Sequence, residues 1–381
     1  MTDSIRYVGV NDHDVDLFEG QYVVPNGMAY NSYVILDEKV AILDTVDHHK
    51  CAEFLDNLDA ALAGRKPDYL IIHHIEPDHA SSVQAVVERW PEVKLVGGPK
   101  TFPLLGQYFP GLDFSSALTV KEGDELSLGS HVLHFVSAPM VHWPEVMMSY
   151  ESTEKILFSA DAFGKFGALD AEEDWDCEAR RYYFNIVGKY GTQVQTVLKK
   201  AAGLDITTIC PLHGPVLTET IPHVLDLYRI WSSYGVESEG VFIAYASLHG
   251  NTAAAAEQLA DLLRSKGCPK VTVADLARCD MAEALEDAFR YGKIVLAAAT
   301  YNAGIMPFME DFLHHLKAKN YQKRTVGLME NGSWAPFAVK GMTDILSTMK
   351  EITILPETVT LRGPAKESDL PALEALADAL L

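Results

Sequence analysis

Ten residues, His73-His74-Ile75-Glu76-Pro77-Asp78-His79-Ala80-Ser81-Ser82, restrict the possible folds of this chain more than any other stretch. They follow the apolar run Tyr69-Leu70-Ile71-Ile72. They precede Val83, Val86, Val87 and Trp90, whose i, i+3, i+4, i+7 spacing predicts an amphipathic helix. Strand, loop and helix in that order is how α/β proteins display reactive side chains at the carboxyl edge of a sheet. His74, Glu76, Asp78 and His79 can all bind a metal. So many ionisable groups in one loop repel one another or are costly to bury unless a cation sits among them. Asp78, Ser81 and Ser82 also stand where helix caps belong, a role that leaves His74 and Glu76 unexplained.

The same arrangement recurs downstream. Strands predicted at 133–136, 156–158 and 206–209 each run into a short loop. These loops carry His142 with Trp143, Asp161 with Phe163-Gly164, and His213 with Gly214. Four strand ends can converge on one point, so His74, Glu76, Asp78, His79, His142, Asp161 and His213 form a single candidate metal set. Seven ligands exceed the needs of one tetrahedral ion and suit two metals bridged by a carboxylate. A carboxylate at Glu76 makes the set harder and richer in oxygen, which shifts preference from zinc towards iron or manganese, while the affinity order alone still favours zinc. His73 should face away from His74 by strand alternation. His48-His49 and His314-His315 read as exposed pairs. Tyr22, Met28 and Trp143 are candidates to line the pocket or simply to pack.

Length and composition set the outer bounds. A chain of 381 residues suggests two domains. Segment 232–240 reads as a linker between a domain over 1–236 and another over 241–381. With 48% hydrophobic and 22% charged residues the composition is that of a soluble globular protein, and a net charge of −22 argues against nucleic acid as a partner. The start, Met1-Thr2-Asp3-Ser4-Ile5-Arg6, shows no secretory signal, and no uncharged stretch reaches bilayer length. Five cysteines with no CxxC pair fit scattered thiols in a reducing cytoplasm, not a disulfide framework or an iron–sulfur site.

Beyond the linker the pattern becomes strand–helix alternation. Strands at 241–245, 271–273, 294–297, 325–328 and 358–361 are separated by helical segments, which predicts a doubly wound parallel sheet. Ser247-Leu248-His249-Gly250-Asn251-Thr252 joins the first strand to the first helix, where backbone N–H groups, hydroxyls and a helix N-terminus can wrap a phosphate. It lacks the lysine of a P-loop and the three-glycine spacing of a dinucleotide turn, so it fits FMN better than a nucleoside triphosphate. Two later loops, Thr300-Tyr301-Asn302-Ala303-Gly304 and Asn331-Gly332-Ser333-Trp334, offer aromatic and backbone surface for a flat ring. Residues 241–381 resemble a flavodoxin domain.

The metal set resembles that of the metallo-β-lactamase fold, an αββα sandwich, whose hydrolases generally carry histidine where this chain has Glu76. The pairing of such a set with a C-terminal flavodoxin domain is similar to the flavodiiron proteins, a resemblance covering nearly the whole chain. It implies that His74, Glu76 and His142 bind one iron, Asp78 and His213 the other, and that Asp161 bridges them; it leaves open whether His79 reaches the metal. It further implies an oxygen reductase or nitric oxide reductase: dioxygen reduced to water, nitric oxide to nitrous oxide, with electrons passing through FMN. Catalytic roles would fall to Glu76, Asp161 and, as proton donor, His79 or Tyr22. The family's head-to-tail homodimer, or a tetramer, would bring one subunit's FMN beside its partner's irons. The donor would be a separate protein such as rubredoxin, or else a reduced deazaflavin. The rival readings are a zinc-dependent metallo-hydrolase fused to a flavodoxin, and an electron carrier with a metal-free first domain.

Overall fold

The computed structural model describes residues 2–381. The chain divides into two compact units: Met1–Tyr183 with Thr192–Arg229, and Phe184–Gly191 with Ile230–Leu381.

The first unit is built on two sheets. One comprises β1 (Ile5–Tyr7), β2 (Tyr33–Leu36), β3 (Val40–Leu43), β4 (Tyr69–Ile71), β5 (Lys94–Gly97) and β6 (Leu118–Thr119), in that order. The other comprises β7 (Glu125–Ser127), β8 (Val132–Ser137), β9 (Met147–Glu151), β10 (Ile156–Phe158) and β11 (Thr208–Cys210). The predicted hairpin is present as β2 and β3, with Leu36 opposite Val40. Strands β3 and β4 are buried at every residue, as expected of central strands covered on both faces. Ile5, Ile35, Leu43 and Ile71 of the first sheet share a core with Leu133, Phe135, Met147 and Phe158 of the second. Helix α1 (Cys51–Leu62) buries Phe54, Leu58, Ala61 and Leu62. It stops where Ala63 and Gly64 turn left-handed, with φ of 48° and 88°.

Strand directions place the site. Strands β8 and β9 are antiparallel, as are β9 and β10, whereas β10 and β11 are parallel. Strands β8, β10 and β11 therefore end at the same edge of their sheet. This is why residues near 142, 161 and 213 can meet although they are far apart in sequence. The loop after β4 supplies the fourth contribution. It is not irregular throughout: Pro77–Ala80 forms a short helix, α2, and Val83–Arg89 forms α3. Glu76 and Ser82 occupy the two N-cap positions, with no side-chain cap bond at either. Asp78 lies inside α2 and is not a cap.

The second unit has one parallel sheet in the order β13-β12-β14-β15-β16. These strands span β12 (Ser238–Ala246), β13 (Val271–Asp275), β14 (Tyr291–Tyr301), β15 (Gln322–Asn331) and β16 (Lys350–Leu361). The end of the expected linker, Ser238–Gly240, belongs to β12, because the backbone pairs there before the apolar run begins. Helices Asn251–Ser265 and Leu370–Ala379 bury Leu259, Leu263, Leu373 and Leu376 against Val241, Ile243 and Val295. This strand order reverses direction between β12 and β14. Ligands of such sheets bind outside the carboxyl ends at that switch point.

Candidate metal centre and flavin cleft

The seven metal candidates meet in two overlapping groups. His74 Nε2 lies 3.1 Å from Glu76 Oε2, and His142 Nε2 lies 3.0 Å from the same oxygen. Asp161 Oδ2 completes this group, 3.1 Å from His142 Nε2 and 3.5 Å from His74 Nε2. In the second group His79 Nε2 and His213 Nε2 are 3.0 Å apart, each 3.2 Å from Asp78 Oδ2. Asp161 Oδ1 faces this group, 3.1 Å from His79 Nε2 and 3.8 Å from His213 Nε2. One carboxylate thus presents a different oxygen to each group. His79 points into the second group.

The ring tautomers show what such an arrangement requires. His213 Nδ1 donates to the Ala29 carbonyl at 2.8 Å, and His74 Nδ1 donates to Glu145 Oε1 at 2.7 Å. A neutral ring that donates through Nδ1 presents a bare lone pair at Nε2. Those lone pairs face carboxylate oxygens and, at His213, a second imidazole. Both oxygens of Asp78 and Oδ1 of Asp161 are buried and accept no hydrogen bond. Lone pairs turned on one another in a buried site are costly unless a cation lies between them. The donor set fits two metal ions, with nitrogen and oxygen ligands in each half.

Without metal, protons take that place. Burial disfavours every charge here, but opposite charges outweigh it. Glu76 is held far below the ordinary carboxylate range by His142 and His74, and Asp161 likewise by His79, His74 and His142. Burial also opposes the imidazolium forms, yet Asp161 and Glu76 raise His142 to about 9. Asp161 and Glu145 draw His74 upward, and Asp78 and Asp161 do the same for His79.

Several residues around the set were not singled out by the sequence. Besides Glu145, they include Asp44, which accepts from the His73 and His74 amides and from His73 Nδ1. His73 is buried between Asp44 and Ser149, away from the ligand groups. Phe18 packs edge-on against His213 at 5.3 Å. Tyr182 lies 5.5 Å from the same ring, with its hydroxyl buried and unbonded. Burial, then the charges of Asp161, Asp78 and Glu76, push that phenol well up. Glu19, at the tip of a hairpin formed by Leu17–Phe18 and Tyr22–Val23, is raised to about 7 by desolvation and then by the Glu76 charge. Trp143 stands edge-on to His74 at 5.4 Å, Tyr22 packs on Phe166, and Met28 is fully buried. His48 and His49 are exposed beside Asp47, and His314 and His315 lie within the helix Pro307–Ala318.

In the second unit a cleft of about 460 Å³ opens at the carboxyl ends of β12, β14 and β15. Leu248, His249, Asn251 and Thr252 line it on one side, Thr300 to Ala303 on another, and Asn331 to Trp334 on a third. Ser247, Gly250 and Gly304 are not on its wall. Ser247 Oγ instead accepts from the Gly250 amide at 3.0 Å, and Gly250, at φ 86°, turns the chain into the helix Asn251–Ser265. A Cβ on Gly332 would lie 2.8 Å from Pro336 Cα, so the backbone itself forms this wall. The Asn331 amide is paired with both backbone groups of Gly363, and Thr300 Oγ1 accepts from the Phe337 and Ala338 amides. These two side chains therefore shape the loops. Tyr301 and Trp334 remain 42% and 89% exposed at the rim, free to cover a flat ring. A helix N-terminus, a glycine wall and rim aromatics fit a flavin mononucleotide.

Known proteins match both units. Residues 28–214 match the family described as ODP family beta lactamase, and residues 242–350 match the flavodoxin domain. A nitric oxide reductase of Moorella thermoacetica is 29% identical over 97% of this chain and 94% of its own length. The rubredoxin oxygen:oxidoreductase of Desulfovibrio gigas superposes with a TM-score of 0.93 at 27% identity, covering 100% of this chain and 96% of that one. The flavodiiron protein of Giardia intestinalis superposes with a TM-score of 0.92 at 25% identity, covering 100% and 95%. With a β-lactamase-like unit carrying a two-metal donor set and a flavodoxin unit carrying a flavin cleft, the chain belongs to the flavodiiron protein family.

Proposed function

We propose that this protein is an oxidoreductase that reduces dioxygen to water, nitric oxide to nitrous oxide, or both, with electrons passing from an external donor through FMN to a non-haem di-iron site. The observation that carries this reading is Asp161, whose two oxygens face two separate imidazole groups, with Glu76 in one of them. His74, Glu76 and His142 would hold one iron, and Asp78, His79 and His213 the other, with Asp161 shared. When bound, the irons supply electrons and open positions for a small diatomic ligand. The protein's part is to keep the donor atoms buried and fixed. Phe18 and Trp143 exclude water beside His213 and His74, and Tyr182 holds a hydroxyl near the same charges.

The finer assignments belong to the same reading. Rubredoxin is the proposed donor, supported by the name of the Desulfovibrio gigas relative. A head-to-tail homodimer, alone or paired into a tetramer, is the proposed assembly, because the metal set and the flavin cleft lie on different units. The five free thiols favour the cytoplasm. Among the described residues no helix is long and apolar enough to cross a membrane.

The test is anaerobic reduction of the iron- and FMN-loaded protein followed by stopped-flow mixing with dioxygen and, separately, nitric oxide. Rapid flavin reoxidation with at least one gas is expected. Stoichiometric zinc, thioester hydrolysis and no gas consumption would establish a metallo-hydrolase instead.

A further inference from the structure

Glu145 lies three residues beyond His142 but reaches back to the other ligand loop. Its Oε1 accepts from His74 Nδ1 at 2.7 Å and from the Ile75 amide at 3.1 Å. The side chains of Glu145 and His74 are both 0% exposed. Beside this contact the Met147 amide donates to the His73 carbonyl at 3.1 Å, so the two loops are laced together. Trp143 blocks one edge of the His74 ring at 5.4 Å. The ring consequently has a single setting, with Nδ1 on Glu145 and Nε2 turned toward Glu76 and Asp161. His74 is the only ion-pair partner of Glu145 among the described residues, and Glu145 Oε2 is buried with no hydrogen-bond donor. The carboxylate charge is therefore directed onto one imidazole.

Asp44 provides an internal contrast. It too is a buried carboxylate on this loop, accepting from the His73 and His74 amides at 2.7 and 3.3 Å and from His73 Nδ1 at 2.6 Å. It touches His74 only through the backbone. Asp44 shapes the loop, whereas Glu145 contacts the ligand ring itself.

We infer that Glu145 is a positioning residue for His74: it fixes the ring's tautomer and orientation and, through its charge, makes Nε2 a stronger donor to the metal. A carboxylate behind a metal-ligating histidine raises the basicity of that ligand, and its loss typically lowers metal affinity 10–100-fold. The inference rests on the reading that His74 ligates iron.

The substitution Glu145→Gln keeps an acceptor for both donors and removes the charge. Full-length protein would be loaded with ferrous iron under anaerobic conditions. Iron affinity, the reduction potential of the iron pair and the melting temperature would then be measured against wild type and Asp44→Asn. For Glu145→Gln we expect iron affinity lower by roughly 10–100-fold, a more positive iron potential and an unchanged FMN potential. For Asp44→Asn we expect a lower melting temperature with the iron potential in place. Should Glu145→Gln fail to fold, Glu145→Asp, which keeps the charge but withdraws it by one methylene, should show the same potential shift in smaller degree. The inference is overturned if the soluble variant retains the wild-type iron affinity and potential, or if Asp44→Asn moves the potential as far. Wild-type protein that takes up no iron refutes the ligand reading itself.

Discussion

Raising the pH should destabilise the metal-free first unit while sparing the iron-loaded one. In the metal-free protein the carboxylates hold protons on the site imidazoles, and His142 is raised from an ordinary 6.5 to about 9. A group whose folded value lies above its unfolded value contributes stability that is fully present below 6.5 and is lost as pH rises through about 9. At 1.36 kcal/mol per tenfold change, the interval from 6.5 to about 9 corresponds to about 3 kcal/mol from His142. His74 and His79 shift in the same direction and add to it. Bound metal replaces these protons, so the loaded protein has no such stability to lose and gains as proton competition recedes. For a unit of roughly 200 residues, about 3 kcal/mol lowers the melting temperature by about 6–12 °C. The assay is calorimetry of chelator-treated and iron-loaded protein at pH 7 and pH 10. Flavin release reports the second unit and serves as the reference for general alkaline effects. Equal losses in the metal-free and loaded samples would refute the argument.

Other perturbations separate the parts of the site. Asp161→Ala removes the one carboxylate that faces both groups; gas consumption should be abolished while the FMN spectrum remains, as rapid mixing and absorbance would show. Tyr182→Phe deletes a hydroxyl that bonds nothing within the fold, so iron content should hold while turnover falls by about 10²-fold, the scale of losing one donor to developing charge. Gly332→Ala places a methyl 2.8 Å from Pro336 Cα. An overpacking penalty of about 1–3 kcal/mol should lower the stability of the second unit, measurable as an earlier flavin release on heating.

The parts of this protein visible in the sequence are those with a local signature. The hairpin of β2 and β3, the helix from Cys51 and the parallel alternation after Val241 each follow from spacing within ten or fifteen residues. The candidate metal set was visible for the same reason four times over, since its members stand in the loops that follow four strands. Glu145 and Asp44 were not visible, because a carboxylate behind a ligand has no preferred spacing from it: Asp44 serves His73 across 29 positions and Glu145 serves His74 across 71. The cap position that spacing also allowed for Asp78 is taken by Glu76, because Pro77 starts the helix at a position proline favours and carries Asp78 inside it. In the flavin cleft, residue type indicated a loop but not its use. Asn331 lines the cleft while its amide pairs with Gly363, and Ser247 Oγ accepts from the Gly250 amide, bonds that the sequence does not indicate.

The charge balance explains why Glu76 matters more than any histidine beside it. Glu76, Asp78 and Asp161 bring three negative charges to four imidazoles, and only Asp161 faces both groups. Against two divalent ions this leaves a single net positive charge in a buried space. A histidine at position 76 would leave two, with the excess confined to the group that Glu76 now neutralises. In low dielectric a further positive charge on either ion is opposed by the charge already present. With iron bound, the Glu76 carboxylate would therefore favour the oxidised ion that an electron-transferring centre must reach. A neutral ligand at that position instead favours an ion that stays divalent and acts as a Lewis acid. The structure puts the carboxylate charge where it would act on one ion, since Glu76 Oε2 lies within 3.1 Å of both His74 Nε2 and His142 Nε2.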